Sequence, residues 1–357
     1  MIYDGCIEAT TIPDALSAPA REFLERAGRH LIGGEWVEAD DGRTFATVDP
    51  ATGETITEVA QGGPEDVDAA VDAARRAFDG DWRFKLNAAK RSSLINKLAE
   101  LIMSNLGELA ELEALDQGKP LGYAKGDVAA AANHFAYYAG WPTKIEGETI
   151  PVSSKDMLVY TRKEPVGVCA QIIPWNFPLL MASWKLSPAL ATGCTIVLKP
   201  AEQTPLTALR LGELIIEAGF PPGVVNILTG DGDTGKALVE HQGVDKIAFT
   251  GSTSVGREIG ARAGRDLKRV TLELGGKSPN IILPDADLPS AIKGSYLGIY
   301  FNSGQACNAG SRLFVHSSKF DEVVSGLAEA AKDTTVGPGL DPKTQLGPLV
   351  SAEQLDR

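Results

Sequence analysis

Between residues 161 and 273, short apolar runs rich in β-branched residues alternate with stretches whose apolar positions recur every three to four residues. VGVCAQII, CTIVLKP, VVNIL, KIAFT and VTLEL are the runs, and helices are predicted over 204–218, 233–241 and 254–263 among them. Near-continuous apolar strands joined by helical crossovers are buried on both faces. The pattern therefore predicts a parallel, doubly wound α/β sheet five strands deep.

On either side the pattern changes. Residues 1–28 mix prolines, acids and one short helical piece, and read as an arm. HLIGGEWVEA, TFATVDP and ETITEVA follow, alternating over a few residues each as small antiparallel strands do. EDVDAAVDAARRAF and AAKRSSLINKLAELIMSNLGELAELEAL then place apolar residues at helical spacing, and an alanine-rich helix runs on to Gly140. Residues 141–160 are broken by Pro and Gly and look like an excursion that makes an interface. After residue 273, NIIL, a helix near 288–300, RLFVH and a helix over 319–332 predict a second α/β unit. The expected organisation is an arm over 1–28, a sheet domain over 29–140 and 161–273, an oligomerisation segment over 141–160 and a second domain over 274–357.

Composition narrows the function classes. A chain of 357 residues exceeds one ordinary core, in keeping with several domains. An apolar fraction of 43% without any apolar run near ~20 residues predicts a soluble protein with no membrane span. No basic head with an apolar stretch begins the chain, so no signal peptide is expected. Four cysteines without a CxxC pair make neither a disulfide framework nor a metal site, and the cytoplasm is the expected compartment. The net charge of −13 argues against nucleic acid or a membrane as partner. Histidines occur only at 30, 134, 241 and 316, without a helical HxxxH spacing, which disfavours zinc and histidine-based hydrolysis. His134, in AAANHFAYYAG, reads as a packed residue.

The candidate chemistry centres on FNSGQACNAGSR, residues 301–312. Cys307 sits there among small and polar neighbours with little bulk to bury it, which suits a nucleophile better than a core thiol. Cys6, Cys169 and Cys194 keep a structural reading, one in the arm and two in strand-like runs. Glu273, where VTLEL breaks into Gly275-Gly276, is a candidate general base, and a thiol with a carboxylate suits acyl chemistry.

A GxGxxG at 230–235 follows a strand and precedes a helix, but no acid follows the next strand, and two aspartates inside the loop would repel a pyrophosphate. It reads as a helix entry. The acid stands one unit earlier, in Lys199-Pro200-Ala201-Glu202 after CTIVL. A glutamate past the second strand of a βαβ unit accepts both hydroxyls of an adenosine ribose and repels a 2′-phosphate, which favours NAD over NADP. Lys199 can donate to the same sugar. The pyrophosphate would lie at Ser252, on the helix N-terminus that begins in GSTSVG; a plain Gly/Ser turn with an N-cap is the alternative reading of those residues.

PWNFP at 174–178, KPAEQTP at 199–205, FTGSTSVG at 249–256, ELGGKSPN at 273–280 and FNSGQACNAGSR at 301–312, in this order and spacing, resemble the aldehyde dehydrogenase superfamily of the hydrolytic, NAD-using kind across nearly all of 30–350. The resemblance implies a Rossmann-like NAD-binding domain, a catalytic α/β domain and a small oligomerising arm, assembled as a homodimer or homotetramer. It implies that Cys307 attacks an aldehyde, that Asn176 and the Cys307 backbone N–H hold the oxyanion, and that Glu273 activates the water that releases the acid. It also implies that Ile172 and Trp175 flank the cofactor. Phe177, Met181 and Trp184, at i, i+4 and i+7, would form an apolar stripe that the family uses for acyl-chain contacts. With no arginine on that stripe, the expected aldehyde carries no carboxylate.

The family's catalytic domain continues past residue 357 and includes a later glutamate in an EIFGP-like motif that this chain does not contain. The final SAEQ also opens a helix that stops within its first turn, so the expectation is a chain incomplete at its C-terminus. Two other readings stand beside hydrolytic oxidation: an acylating relative that passes the thioester to coenzyme A, which Glu273 argues against, and an inactive dinucleotide-binding or structural protein.

Overall fold

In the computed structural model, which describes residues 15–357, five parallel strands form the centre of a seven-stranded sheet. Their spatial order is Arg269–Leu274, Lys246–Gly251, Val168–Ile172, Thr195–Lys199 and Val225–Ile227. Each neighbouring pair among the five is parallel, as the unbroken apolar runs predict. The hairpin of His30–Ile32 and Glu35–Val37 extends the sheet antiparallel from the Val225–Ile227 edge. The expected α/β fold is borne out. The hairpin's union with the main sheet is an addition to it.

The strand Thr195–Lys199 shows why two apolar layers are needed. Ile196 and Leu198 point into one core, packed with the helices Ala88–Ser104, Leu121–Ala139, Pro178–Thr192 and Leu206–Ala218. Val197 points the other way, into a core shared with Pro64–Phe78, Gly232–Glu240 and Thr253–Arg265. A side-chain period of two therefore commits each face to its own helices.

The long helical tract from residue 88 divides at Asn105 into Ala88–Ser104 and Leu106–Gln117. Asn105 leaves helical geometry (φ −105°, ψ 20°), and its side-chain amide donates to the Leu101 carbonyl, so a side chain competes with the backbone ladder at that point. Periodicity alone does not reveal such a break, because the apolar spacing continues across it.

Beyond the sheet, strands Pro279–Ile282 and Arg312–Val315 pair in parallel, beside helices Leu288–Tyr300 and Phe320–Lys332. Within 141–160, Thr149–Ile150 and Val159–Tyr160 form a two-stranded antiparallel ribbon that leaves Met157, Leu158 and Tyr160 exposed. Cys169 and Cys194 are buried free thiols, whereas Cys6 lies outside the described residues. No helix among the described residues is long and apolar enough to cross a membrane.

Strand order sets the position of the site. The chain moves outward from Val168–Ile172 through Thr195–Lys199 to Val225–Ile227, then returns to lay Lys246–Gly251 on the opposite side. The order thus reverses between Val168–Ile172 and Lys246–Gly251. The loops leaving the carboxyl ends of those two strands diverge there and open a crevice, as they do in open α/β sheets generally.

Candidate active site

A cleft of about 560 Å³ occupies that crevice. Ile172, Trp175, Lys199, Glu202 and Ser252 all line it, so the five residues singled out for a dinucleotide converge on one space. Each stands at or just past the end of a parallel strand, or at the start of a helix.

The Lys199 side chain is buried and its ammonium donates to the Pro200 carbonyl at 3.1 Å. It lies 3.8 Å from the Glu202 carboxylate, which is 43% exposed. Burial pushes the Lys199 amine down, and the charges of Glu202 and Asp231 oppose that. An acid held beside an ammonium at the mouth of a strand suits a sugar diol, with acceptor and donor side by side.

Ser252 caps the helix Thr253–Arg265 by accepting the Val255 N–H at 3.3 Å, and its hydroxyl lies 3.1 Å from that of Ser254. The remaining free N–H groups of that first turn face an anion-compatible end of the helix dipole. At the GxGxxG stretch, Asp231 caps the helix Gly232–Glu240 by accepting from the Asp233 and Thr234 N–H groups. The side chain thus occupies donors that a phosphate would need, as the helix-entry reading expects.

Sequence reasoning missed Glu353, Gln354 and Arg357, which also line the cleft. They belong to the last short helix, Ala352–Asp356, and its C-cap. No local motif ties that helix to residues 172–259; only the tertiary fold does.

The loop of the candidate nucleophile is tied to residues 174–176 through Asn176. Cys307 is exposed, directly after a bend in which Asn302 (φ 50°), Ser303 (φ 57°) and Gly304 (φ 77°) all take left-handed backbone. Two consecutive non-glycine residues in that region carry strain of order 1–3 kcal/mol each, which surrounding contacts must offset. Asn302 provides such contacts. It is buried, and its amide donates to the Asn176 carbonyl at 2.9 Å.

Asn176 in turn donates its side-chain amide to the Gln305 carbonyl at 2.8 Å. That bond uses one of the two amide hydrogens and fixes the plane of the group two residues from Cys307, leaving the second hydrogen for another acceptor. Glu273 is exposed at the end of its strand, in register with Thr250 of the neighbouring strand. The turn after it meets the nucleophile loop directly: a Cβ added to Gly276 would stand 3.2 Å from the Cys307 carbonyl oxygen. A side chain here would press on the nucleophile loop, so the glycine eases this approach.

Lys185, one helical position beyond Trp184, is another group that the sequence did not flag. Burial pushes its amine down to about 8, against the attraction of Glu273. A lysine within an apolar helix carries no motif of its own.

The apolar stripe is less uniform than its spacing implies. Phe177 precedes the first helical turn and stacks on Phe301 with ring centroids 5.9 Å apart. Met181 is buried in the main core, and Trp184 is 47% exposed, donating its indole N–H to His134 at 2.8 Å. His134 is packed against that indole, as its helix context predicts.

Residues 36–357 match the aldehyde dehydrogenase family. The chain belongs to that family. It is 57% identical over 338 residues to DhaS of Bacillus subtilis (strain 168), covering 94% of this chain and 68% of that relative. It is 52% identical over 347 residues to human retinal dehydrogenase 2, covering 96% and 67%. Among solved structures, the NAD+ complex of an aldehyde dehydrogenase from Bacillus cereus superposes with a TM-score of 0.94 at 53% identity, over 96% of this chain and 70% of that one. The chain thus spans about two thirds of the length of its aldehyde dehydrogenase relatives. The expectation drawn from the five motifs is borne out at the level of family and fold.

Proposed function

We propose that this aldehyde dehydrogenase oxidises an aldehyde to its carboxylic acid with NAD, using Cys307 as nucleophile and Glu273 as general base. The observation that carries the proposal is the placement of residues 172–176. Ile172 and Trp175 line the cleft, and Asn176 is hydrogen-bonded to the Cys307 loop. One short segment therefore joins the cofactor space to the nucleophile.

The cleft fits a dinucleotide: Lys199 and Glu202 would hold the adenosine ribose, Ser252 the pyrophosphate, and Ile172 and Trp175 would flank the bound cofactor. NAD supplies the two-electron oxidant when bound. The Cys307 thiolate adds to the aldehyde carbonyl. The Asn176 amide and the Cys307 N–H stabilise the oxyanion that forms, and losing one such donor costs roughly 10²–10³ in rate. After oxidation the acyl group is a thioester on Cys307. Glu273 draws a proton from water, and the hydroxide so generated displaces the thiolate and releases the carboxylic acid.

Phe177 and Phe301 would border the acyl chain, and an apolar substrate without a carboxylate suits them. The exposed ribbon at 149–160 is the surface we assign to subunit pairing in a homodimer or homotetramer. The test is NADH formation from a panel of aldehydes by the full-length protein, compared with its Cys307→Ala variant and with added coenzyme A. We expect turnover in the wild type, none in Cys307→Ala with NAD binding retained, and no stimulation by coenzyme A. Undiminished activity in Cys307→Ala removes the covalent mechanism.

A further inference from the structure

Lys119 closes the helix pair Leu106–Gln117 and Leu121–Ala139, and its side chain is wholly buried. Its ammonium has three N–H donors, and all three are used. They reach Glu113 Oε1 at 3.1 Å, Asp127 Oδ2 at 2.7 Å and the carbonyl oxygen of Asn176 at 3.0 Å. The same nitrogen stands 4.5 Å from the centre of the Phe177 ring. The second oxygen of Glu113 accepts the Leu179 N–H at 3.3 Å, in the first turn of the helix Pro178–Thr192. Three consecutive features after the cleft are therefore held from one buried point: the Asn176 carbonyl, the Phe177 ring and the start of the following helix.

Stability alone is a poor explanation for this arrangement. Burying an ammonium and two carboxylates costs several kcal/mol per ion before their mutual attraction offsets it, and apolar residues of the same volume often do as well or better. Burial also pushes the Glu113 carboxyl up, with the Asp127 charge adding to that and Lys119 opposing it. What apolar residues cannot supply is a donor to the Asn176 carbonyl, which Lys119 holds together with the Asn302 amide while the Asn176 side chain donates to Gln305.

We propose that Lys119 is a positioning residue for the reaction, setting the Asn176 amide at the angle needed to meet the oxyanion. The inference rests on the reading of Asn176 as oxyanion donor. Lys119 acts at a distance from the reacting atoms, through the backbone, and has no part in cofactor binding.

The experiment uses the full-length protein and follows single-turnover NADH formation, NAD affinity and thermal unfolding. Two variants are read in parallel. Lys119→Met joined to Glu113→Gln removes the ammonium without leaving that carboxylate alone, and Lys119→Gln keeps an amide donor near Asn176. The first should slow acylation on the order of 10²-fold, the cost typical of misplaced reacting groups, with NAD affinity unchanged. Lys119→Gln should recover part of that loss. In an Asn176→Ala background, neither should slow acylation further. A native acylation rate in the folded Lys119→Met/Glu113→Gln variant overturns the proposal, as does a loss that multiplies with that of Asn176→Ala. A native rate in Asn176→Ala alone instead removes the oxyanion assignment on which the proposal stands.

Discussion

Asn302 donates its side-chain amide to the carbonyl oxygen of Asn176 at 2.9 Å, from a backbone held at φ 50°. Asparagine is among the few side chains that tolerate this left-handed geometry. The residue therefore serves both the bend before Cys307 and the segment that carries the candidate oxyanion donor.

Two substitutions separate these services. Asn302→Gly keeps the backbone free to adopt φ 50° and removes the amide, so it should fold with little loss yet turn over at least tenfold more slowly. Asn302→Ala loses both, and should be less stable than the glycine variant by about 1 kcal/mol as well as slow. Thermal unfolding and single-turnover rates measure the two effects. Native turnover in Asn302→Gly would show that the amide is dispensable.

Glu273→Gln keeps the shape of the strand end and removes the proton acceptor. If Glu273 activates water, acylation should proceed while deacylation slows by roughly 10²–10⁴, the usual contribution of a positioned base. The expected signature is a burst of NADH near one equivalent per site followed by slow turnover, with an acyl adduct on Cys307 visible by mass spectrometry. Steady turnover at the wild-type rate would take the role of base away from Glu273.

The ease with which parts of this molecule are read follows from how local their physics is. The five parallel strands are legible because burial on both faces demands continuous apolar runs such as CTIVL and KIAFT. The place of Glu202 and Ser252 at the cleft is legible because a strand end and a helix start have fixed chemistry nearby. Lys119 is not, since Gly118-Lys119-Pro120 has the composition of a turn and nothing local announces that the ammonium points inward to a carbonyl 57 residues away. Asn302 is hidden likewise: its partner is 126 residues distant, and only the fold brings them together. The break at Asn105 escapes because apolar spacing reports which face is buried, not whether the backbone ladder is continuous.

If Glu202 holds the adenosine ribose as proposed, it also sets the choice of cofactor. Its carboxylate stands 3.8 Å from the Lys199 ammonium and is 43% exposed, so water screens part of its field. A 2′-phosphate of nearly two charges beside it should still lose about tenfold in affinity, on the scale of ~1 kcal/mol for two unit charges about 4 Å apart in water. The kcat/KM ratio of NAD to NADP should therefore favour NAD in the wild type and fall about tenfold in Glu202→Gln. A wild-type preference for NADP, or an unchanged ratio in the variant, would exclude this residue as the discriminator.

The last prediction concerns pH and His30, which is wholly buried at the junction of the hairpin and the main sheet. Its Nδ1 lies 3.3 Å from the Thr229 backbone nitrogen and 3.2 Å from the Thr229 hydroxyl oxygen. Nε2 faces Asp66 at 4.0 Å, beyond hydrogen-bond reach. Burial lowers the His30 pKa below its ordinary value, and the Asp66 charge only opposes this. The neutral form is thus favoured in the folded chain, whereas the unfolded chain takes up a proton near pH ~6.5. The sign follows: the contribution is intact above pH ~6.5 and is lost as pH falls from there toward the folded pKa, with a slope of up to ~1.4 kcal/mol per pH unit for one proton. Wild type and His30→Gln should differ in that slope between about pH 5 and 6.5, because glutamine takes up no proton on unfolding. Unfolding curves across this range test it, and parallel pH dependences in the two proteins would show that His30 is not the group that titrates.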